Sequence, residues 1–366
     1  MLKGNFDIPF DFFQVGTPPL IGVDISLSSV KLVELSELPK NNGYVVERYA
    51  IEPLPKDALV DGNINNLDAV SESIDRALKR MGGRIKNACL ALPAAAVISK
   101  KIYLPGGLHE EDLEYQVEAE ANQYIPFAMD EVNLDFQVIG PAPNNIEEIE
   151  VLLAASRKVN VEDRVAAAQA AGLKAVIVDV EAYAAEMALE QICSQLPGGA
   201  VDQCVALVDI GANIMNINVL RNGQSVYTRD QQIGGEQLTL QIQNAFGLSY
   251  EESEIGKRNG GLPDNYEHDV LTPFRESVSS EIVRAIQFFF TSTKYNEVNY
   301  IVLAGGSAAL AGLDDVVATR TQVNTLVANP FAQMTLSSRI KPRQLQADAP
   351  ALMIACGLAM RRFDPS

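Results

Sequence analysis

The stretch Leu20-Ile-Gly-Val-Asp24-Ile-Ser-Leu-Ser28-Ser29-Val-Lys31 is an apolar run that ends in an aspartate and enters a turn of small polar residues. Later in the chain, Val205-Ala-Leu-Val-Asp209-Ile-Gly211-Ala-Asn213 repeats this order. Two further β-rich runs joined by short turns follow each stretch, which indicates that one structural unit is used twice. We therefore predict an α/β protein with two lobes built from a duplicated unit.

Length and composition agree with a folded protein of this kind. The chain has 366 residues, which at about 150 residues per domain predicts two domains or one two-lobed body. Hydrophobic residues make up 47% and charged residues 21%, a composition that excludes disordered and collagen-like chains. The net charge of -18 repels nucleic-acid phosphates and anionic lipids. We expect no nucleic-acid partner, and contact with a membrane only through other proteins.

Cysteine and histidine usage predicts a cytoplasmic protein without a zinc centre. The four cysteines, at positions 89, 193, 204 and 356, stand apart, and the two histidines, His109 and His268, have no Cys or His beside them. No apolar window reaches the roughly 20 residues that a membrane-spanning helix needs. We also predict no signal peptide in the N-terminal tail, residues 1–19.

Each unit of the duplication carries an insertion. The first insertion has a strand, an acidic helix and two strands, and the second is helical. The predicted subdomains are the first core (20–92, 156–194 and 345–366), its insertion (93–155), the second core (195–233 and 299–344) and its insertion (234–298).

The turn after each aspartate is a candidate phosphate site, because a tight turn exposes backbone N–H groups and hydroxyls that can surround an anion. An aspartate at a strand end can also hold hydrated Mg²⁺, which needs only one or two carboxylates. The first candidate set is Asp24, Ser26, Ser28, Ser29 and Lys31, and the second is Asp209, Gly211, Ala212 and Asn213. The alternative for each is an ordinary hairpin turn.

Two glycine pairs are candidates for contact with a nucleoside. Gly305, Gly306 and Ser307 follow the apolar run 300–304, where bare backbone lets a flat base or a ribose approach. Gly234, Gly235, Glu236 and Thr239, with Glu254 and Lys257 further on, offer polar groups for adenine and ribose. The alternative is a capped amphipathic helix with solvated charges.

The order of these parts resembles the actin and sugar-kinase superfamily of nucleotide-binding proteins. The resemblance implies ribonuclease-H-like cores and Mg-ATP held between two lobes, with Asp24 and Asp209 near the metal through its waters. It also implies hinge helices over 180–191 and 351–361. For hydrolysis, Asp179 or Glu181 would orient the attacking water. Both are also suited to cap the helix that follows them.

A longer signature lies in the first insertion, where Glu114-Tyr-Gln-Val-Glu118-Ala-Glu120-Ala-Asn-Gln-Tyr124-Ile-Pro-Phe127 is followed by Glu131-Val-Asn-Leu-Asp135-Phe-Gln-Val. Together with Asp24, the segment 281–289 and the C-terminal Ala-Cys-Gly-Leu-Ala, it resembles the PilM family of type IV pilus assembly proteins over residues 20 to 362. That family resembles the divisome protein FtsA in carrying a small insertion, called 1C, on its first lobe. The helical insertion of the second lobe is called 2B.

The PilM resemblance implies a partner, because in this family a groove beside the insertion receives the cytoplasmic N-terminus of the inner-membrane protein PilN. An extended peptide there would gain backbone hydrogen bonds and apolar pockets. The candidate groove residues are Leu104, Tyr124, Ile125, Pro126 and Phe127. Alternatively, the apolar residues of this insertion pack against its own sheet.

The resemblance also implies a function. We expect an ATP-binding, actin-like scaffold on the cytoplasmic face of the inner membrane, which links PilN to other pilus-assembly proteins. Ser26 and Leu27 stand where related phosphate turns usually have Gly and another small residue, and this favours ATP binding over fast hydrolysis. Nucleotide would then act as a conformational ligand. The alternatives are a small-molecule kinase of the same superfamily and a self-assembling filament, a form of homo-oligomer.

Overall fold

The computed structural model describes residues 18–38, 43–143 and 145–364. The described chain divides into two compact units. Unit 1 comprises the described residues of Met1–Met187 and Ile354–Ser366, and unit 2 is Ala188–Met353. The chain passes from unit 1 to unit 2 between Met187 and Ala188, which is within the predicted hinge helix over 180–191. The predicted first core instead extends past the end of that helix, to residue 194. Of the predicted N-terminal tail, residues 1–17 lie outside the described residues.

Unit 1 is an α/β sandwich with a small additional sheet. Its elements are β1 (Ile21–Ser26), β2 (Ser29–Glu37), β3 (Tyr44–Pro53), β4 (Leu59–Val60), β5 (Asn63–Ile64), α1 (Leu67–Met81), β6 (Asn87–Leu92), β7 (Val97–Pro105), α2 (Glu110–Tyr124), β8 (Val132–Ala142), β9 (Asn145–Arg157), α3 (Lys158–Ala170), β10 (Lys174–Val180) and α4 (Glu181–Cys193), the last of which continues into unit 2.

The central sheet of unit 1 runs in the order β10-β6-β1-β2-β3. β1, β2 and β3 pair antiparallel, whereas β6 pairs in parallel with β1 and with β10. β1 lies in the middle of the sheet, and its first five residues are buried. This burial explains the nearly continuous apolar run before the first turn, since a strand covered on both faces has no solvent side. Helices α1 and α3 pack against the sheet in one apolar core.

Unit 2 repeats this arrangement. Its elements are β11 (Cys204–Ile210), β12 (Met215–Arg221), β13 (Gln224–Gln231), α5 (Gly235–Phe246), α6 (Tyr250–Asn259), α7 (Thr272–Ser292), β14 (Tyr300–Ala304), α8 (Leu313–Thr321), β15 (Asn324–Val327), β16 (Thr335–Leu336) and α9 (Pro342–Asp348). A last helix, α10 (Met353–Met360), returns the chain to unit 1.

The five-stranded sheet of unit 2 has the order β13-β12-β11-β14-β15, with β11, β12 and β13 antiparallel and β14 parallel to β11 and β15. Strand for strand, this is the topology of the unit 1 sheet. The aspartate-tipped strands β1 and β11 therefore occupy equivalent central positions. The duplication predicted from the two Asp-ending runs is present in the backbone.

The segment between β6 and α3 folds as a separate layer. Strands β7, β9 and β8 form an antiparallel three-stranded sheet, and α2 packs on it through the buried side chains Leu113, Val117 and Ala121. The order strand, helix, strand, strand is the one predicted for residues 93–155. In unit 2, α5, α6 and α7 supply the predicted helical segment between β13 and β14.

Candidate functional site

The first candidate phosphate turn lies between β1 and β2. Asp24 and Lys31 are directly opposite each other in the antiparallel register, and both are buried. Lys31 Nζ lies 2.8 Å from Asp24 Oδ2 and donates to Ser26 Oγ at 2.7 Å. The Ser26 hydroxyl in turn donates to the carbonyl of Ser29. Three of the predicted side chains, Asp24, Ser26 and Lys31, thus form one polar cluster at the end of β1.

The Asp24 carboxylate in this cluster is only partly satisfied. Its Oδ1 atom is buried and has no hydrogen-bond partner. A buried acceptor without a partner costs roughly 1–3 kcal/mol, more when it is charged, so such an atom marks a place for a donor or a cation. The arrangement fits a hydrated Mg²⁺ or an ordered water beside Asp24. Ser28 is exposed at the tip of the turn, and its carbonyl accepts a hydrogen bond from the Leu54 N–H at 3.0 Å.

The two candidate catalytic acids differ in their surroundings. Asp179, at the end of β10, is buried, and its Oδ2 lies 2.5 Å from Arg361 Nε. Its Oδ1 accepts a hydrogen bond from the Val180 N–H at 2.8 Å. Burial by itself lowers the pKa of Arg361, but the carboxylates of Asp179 and Asp364 raise it above its ordinary value. Both oxygens of Asp179 are therefore engaged, whereas Glu181 is the first residue of α4.

The second candidate turn, between β11 and β12, is bonded to the start of α5. The Gly235 N–H donates to the Gly211 carbonyl at 3.0 Å, and the Glu236 N–H donates to the Ala212 carbonyl at 2.8 Å. Gly234 has to be glycine, because a Cβ there would collide with the Ala212 carbonyl and the Asn213 amide. The turn and the Gly-Gly-Glu helix, which lie far apart in sequence, are one structural group.

The Gly305-Gly306 motif also packs against the second candidate turn. Gly305 follows β14 with a φ of 86°, and a Cβ at this position would meet Asp209 Oδ1 and the Ile210 carbonyl. Only glycine fits this close approach in a left-handed conformation. Ser307 Oγ donates to the Gly211 carbonyl at 3.4 Å. By contrast, a Cβ on Gly306 would meet open space.

A polar network extends the group along α5 and α6. Lys257 donates to the Gly235 carbonyl at 3.1 Å and to Thr239 Oγ1 at 2.6 Å, and it forms a short ion pair with Glu254. Thr239 also donates to Glu254. Burial alone would raise the pKa of Glu254, but the hydrogen bonds from Lys257 and Thr239 lower it below its ordinary value. Glu254 is thus held as an ionised acceptor in this network.

Tyr250 adds a contact that the sequence analysis missed. Its hydroxyl donates to Glu236 Oε2 at 2.8 Å, and burial together with the Glu236 carboxylate raises the pKa of Tyr250. Tyr250 lies one residue beyond Ser249, which caps α6. The capping serine indicates where α6 begins, but it does not indicate which side chain of that helix contacts Glu236.

A small pocket lies at the edge of the three-stranded sheet of unit 1. It has a volume of about 20 Å³. Its lining residues are Ala96, Ile98, Ile125, Phe127, Val132, Ala155, Ser156 and Arg157. Arg157 lies over the Phe127 ring at 5.5 Å, and Lys100 lies over the Tyr124 ring at 4.9 Å. The pocket is therefore apolar inside and basic at its margin.

The five candidate groove residues divide into three groups. Ile125 and Phe127 line the pocket, and Tyr124 and Pro126 are exposed next to them. Leu104 is instead buried in the core between the sheet and α2. Sequence analysis missed Ile98 and Arg157, because alternation along a strand shows which residues share a face but not which face a partner would use.

The described residues show neither a metal-binding cluster nor a membrane-spanning helix. No three His, Cys, Asp or Glu side chains among them are grouped so that they could hold a metal ion. In the same part of the chain, no helix is long and apolar enough to cross a membrane.

Comparison with known proteins places the chain in a family. Residues 22–363 match the family model described as type IV pilus assembly protein PilM. A chain of the PilM-PilN type IV pilus biogenesis complex is 29% identical with a TM-score of 0.78, and the match covers 94% of this chain and 99% of that one.

Two more distant structures have the same fold. The ethanolamine utilization protein EutJ from Carboxydothermus hydrogenoformans is 16% identical with a TM-score of 0.56, covering 94% of this chain and 89% of that one. A glycerol dehydratase reactivase is 11% identical with a TM-score of 0.51, and the match covers 95% of this chain and 100% of that one. The predicted actin-like ATPase fold is confirmed, and with the match over residues 22–363 the chain belongs to the PilM family of type IV pilus assembly proteins.

Proposed function

We propose that this protein is an ATP-binding, actin-like scaffold of the type IV pilus assembly complex that binds the cytoplasmic N-terminal segment of PilN. The observation that carries the proposal is the similarity over almost the whole chain to a chain of a PilM-PilN complex. The protein would work at the cytoplasmic face of the inner membrane and reach that membrane through PilN and other assembly proteins.

Nucleotide binding is supported by the polar groups at the ends of the central strands in each unit. In unit 1, Asp24 with its unsatisfied Oδ1 would hold Mg²⁺ through water, and Lys31 and the turn of Ser26, Ser28 and Ser29 would bind phosphate. In unit 2, Asp209 would hold a hydrated ion in the same way, and the turn of Gly211, Ala212 and Asn213 would bind phosphate. Mg²⁺, when bound, neutralises phosphate charge and orients the phosphate oxygens.

The adenosine moiety would be bound by the remaining groups of unit 2. Gly306 and Ser307 offer bare backbone and a small side chain, and the open space above Gly306 leaves room for a flat ring. Gly234 and Gly305 are packed against the second candidate turn and would hold it in place. Glu236, Glu254 and Lys257 would supply the polar contacts for base and ribose, and the buried Thr239 would hold Glu254 and Lys257 in place. Thr239, Glu254 and Lys257 hydrogen-bond to one another, and Glu236 accepts a hydrogen bond from Tyr250, so these side chains are already oriented.

Asp179 and Glu181 are the two candidates for orienting a hydrolytic water. Asp179 is held by Arg361 and by the Val180 N–H, and Glu181 begins the helix that follows. We expect turnover to be slow with either acid in this role. Nucleotide would act mainly by changing the conformation that the partner recognises.

The PilN segment would bind at the pocket beside the three-stranded sheet. Ile125 and Phe127 offer an apolar cavity of the size of a small side-chain group, and Tyr124 and Pro126 extend the surface beside it. β7 lies at an edge of this sheet, where an extended peptide would add backbone hydrogen bonds. Because the first phosphate turn and the pocket both belong to unit 1, nucleotide and peptide affinities are expected to be coupled.

Calorimetric titration of a synthetic PilN N-terminal peptide, with and without Mg-ATP, tests this proposal. We expect binding with a Kd in the micromolar range or tighter and a different affinity when Mg-ATP is present. Phe127→Ala should weaken binding at least about tenfold, since it removes a ring that lines the pocket. Tyr115→Ala is the matched control, because this exposed aromatic residue lies on α2 of the same layer but does not line the pocket.

Two outcomes would contradict the proposal. Absence of peptide binding by folded wild-type protein that still binds ATP would favour a kinase or a filament over a PilN-binding scaffold. Equal peptide affinities with and without Mg-ATP would remove the regulatory role of nucleotide while leaving the scaffold in place.

A further inference from the structure

Arg164 is a buried cation beside the first phosphate turn. It lies on α3, and only 3% of its surface is exposed. Its Nη1 donates to the carbonyl of Ile25 at 3.3 Å, and its Nη2 donates to the carbonyl of Gly62 at 2.8 Å. Ile25 directly follows Asp24, so the guanidinium lies one peptide unit behind the Asp24–Lys31 cluster.

The hydrogen bonds of Arg164 do not explain why this position carries a charge. Both go to neutral backbone carbonyls, and a neutral amide side chain can donate to carbonyls as well. A buried cation, in contrast, costs several kcal/mol of desolvation unless an anion compensates it. The charge therefore needs an anion that the two carbonyls do not supply.

The nearby acids compensate this charge only in part. Burial lowers the pKa of Arg164, and the carboxylates of Glu181, Asp24 and Asp163 act in the opposite direction. Of these, Asp24 already has Lys31 as its ion-pair partner at 2.8 Å. Two buried cations, Lys31 and Arg164, thus lie around the end of β1, where a polyphosphate would bring negative charge.

We propose that Arg164 is a positioning residue for nucleotide, which holds the backbone at Ile25 and supplies fixed positive charge to phosphates bound at the first turn. This inference rests on the proposed nucleotide binding and concerns how the site distinguishes ligands. Because Arg164 lies behind the backbone, it acts without touching the nucleotide. Its contribution should therefore grow with the negative charge of the ligand, from adenosine to ADP to ATP.

Calorimetric titration of full-length protein with ATP, ADP and adenosine, each with excess Mg²⁺, measures this dependence. Arg164→Gln keeps a donor for one carbonyl and removes the charge. It should weaken ATP binding by about tenfold, weaken ADP binding less and leave adenosine binding unchanged. Arg164→Lys keeps the charge and should preserve the wild-type ratios among the three ligands. Thermal unfolding of each variant shows whether it is folded.

A purely structural role gives a different pattern. The electrostatic role would be overturned if folded Arg164→Gln lost the same factor of affinity for ATP, ADP and adenosine, or lost no affinity at all. If Arg164→Gln does not fold, Arg164→Lys provides the test. A folded Arg164→Lys protein whose relative affinities for ATP, ADP and adenosine differ from those of the wild type would also overturn the electrostatic role. Failure of the wild type to bind any of the three ligands would instead refute the proposed nucleotide function, and this inference with it.

Discussion

At the scale of single residues, the end of β1 shows how a tight turn holds its charged side chains. Asp24 faces Lys31 across the hairpin, and Ser26 bridges the lysine to the backbone of the turn. Each group has a local partner, yet Asp24 Oδ1 has none. The hairpin is thus stable enough to form and still carries an unsatisfied acceptor, a combination suited to reversible binding of a hydrated cation.

The first prediction concerns this ion pair. Asp24→Asn leaves the Lys31 ammonium buried against a neutral amide, so the free energy of unfolding should fall by about 3 kcal/mol. The double variant Asp24→Asn, Lys31→Met removes both charges and should recover most of that loss. Urea unfolding monitored by circular dichroism measures both effects. An unfolding free energy of Asp24→Asn equal to that of the wild type would show that the pair is not coupled in this way.

The second prediction concerns pH and Glu254. Its folded-state pKa is lowered by Lys257 and Thr239, so its ionised form stabilises the fold above the ordinary pKa of about 4.3, and this contribution is lost as pH falls through the folded-state value. Glu254→Gln should therefore be less stable than the wild type at pH 7, and the difference should shrink below about pH 4.

The control for this experiment lies on the same helix. Glu251 is exposed on α6, so Glu251→Gln should differ little from the wild type in unfolding free energy at either pH. Thermal unfolding at a series of pH values compares the three proteins. A Glu254→Gln deficit that stays constant down to pH 3 would mean that the carboxylate charge is not what stabilises this network.

At the scale of elements, α10 is held in unit 1 by close backbone contacts. A Cβ on Gly22 of β1 would collide with the backbone of Ala355 and Ala359, and a Cβ on Gly357 would collide with the Ala184 carbonyl of α4. Arg361, just beyond the helix, pairs with buried Asp179. The glycines set how closely these elements approach, and the ion pair anchors the end of the helix.

Gly357→Ala tests this close packing. Alanine in a helix interior usually stabilises by about 1 kcal/mol relative to glycine. Here the added methyl group has no space, so we expect the opposite sign, a loss of about 3 kcal/mol. Gly306→Ala is the stability control, because its Cβ would meet open space. Chemical denaturation of both variants gives the comparison. A stabilised Gly357→Ala protein would show that the two helices can separate at little cost.

At the scale of the whole molecule, two equivalent sheets each present an aspartate-tipped central strand. A ligand that binds the folded chain and not the unfolded chain adds free energy of RT ln(1 + [L]/Kd). At a Mg-ATP concentration about 100 times Kd this is about 2.7 kcal/mol, which for a chain of this length is a rise of about 3 °C in the unfolding midpoint.

The corresponding prediction is a thermal shift that is lost when the two strand-end aspartates are replaced. Mg-ATP should raise the unfolding midpoint of the wild type by that amount and leave the midpoint of an Asp24→Asn, Asp209→Asn double variant unchanged relative to its own ligand-free value. Differential scanning fluorimetry measures the shift. An equal shift in the folded double variant would place ATP at another site.

Local sequence patterns determined the duplicated architecture and marked the turns and glycines of unit 2, although not that these segments pack together. Apolar runs ending in Asp24 and Asp209, with the Gly-Gly pairs, indicate strand ends and close backbone approaches, and these depend on residues near in sequence. Turn chemistry and strand periodicity are local properties, so they can be read without knowing the partners. The position of the first insertion was readable for the same reason.

The tertiary structure alone decided which side chains are already engaged. Asp179 pairs with Arg361, which lies 182 residues later in the chain. Leu104 is buried in a core, whereas Phe127 lines a pocket. Arg164 hydrogen-bonds to the carbonyl of Ile25. Each of these outcomes depends on packing between residues remote in sequence, which no local pattern encodes. The sequence therefore shows the fold and the positions of the candidate turns, whereas the charged partners packed around them are set by long-range packing.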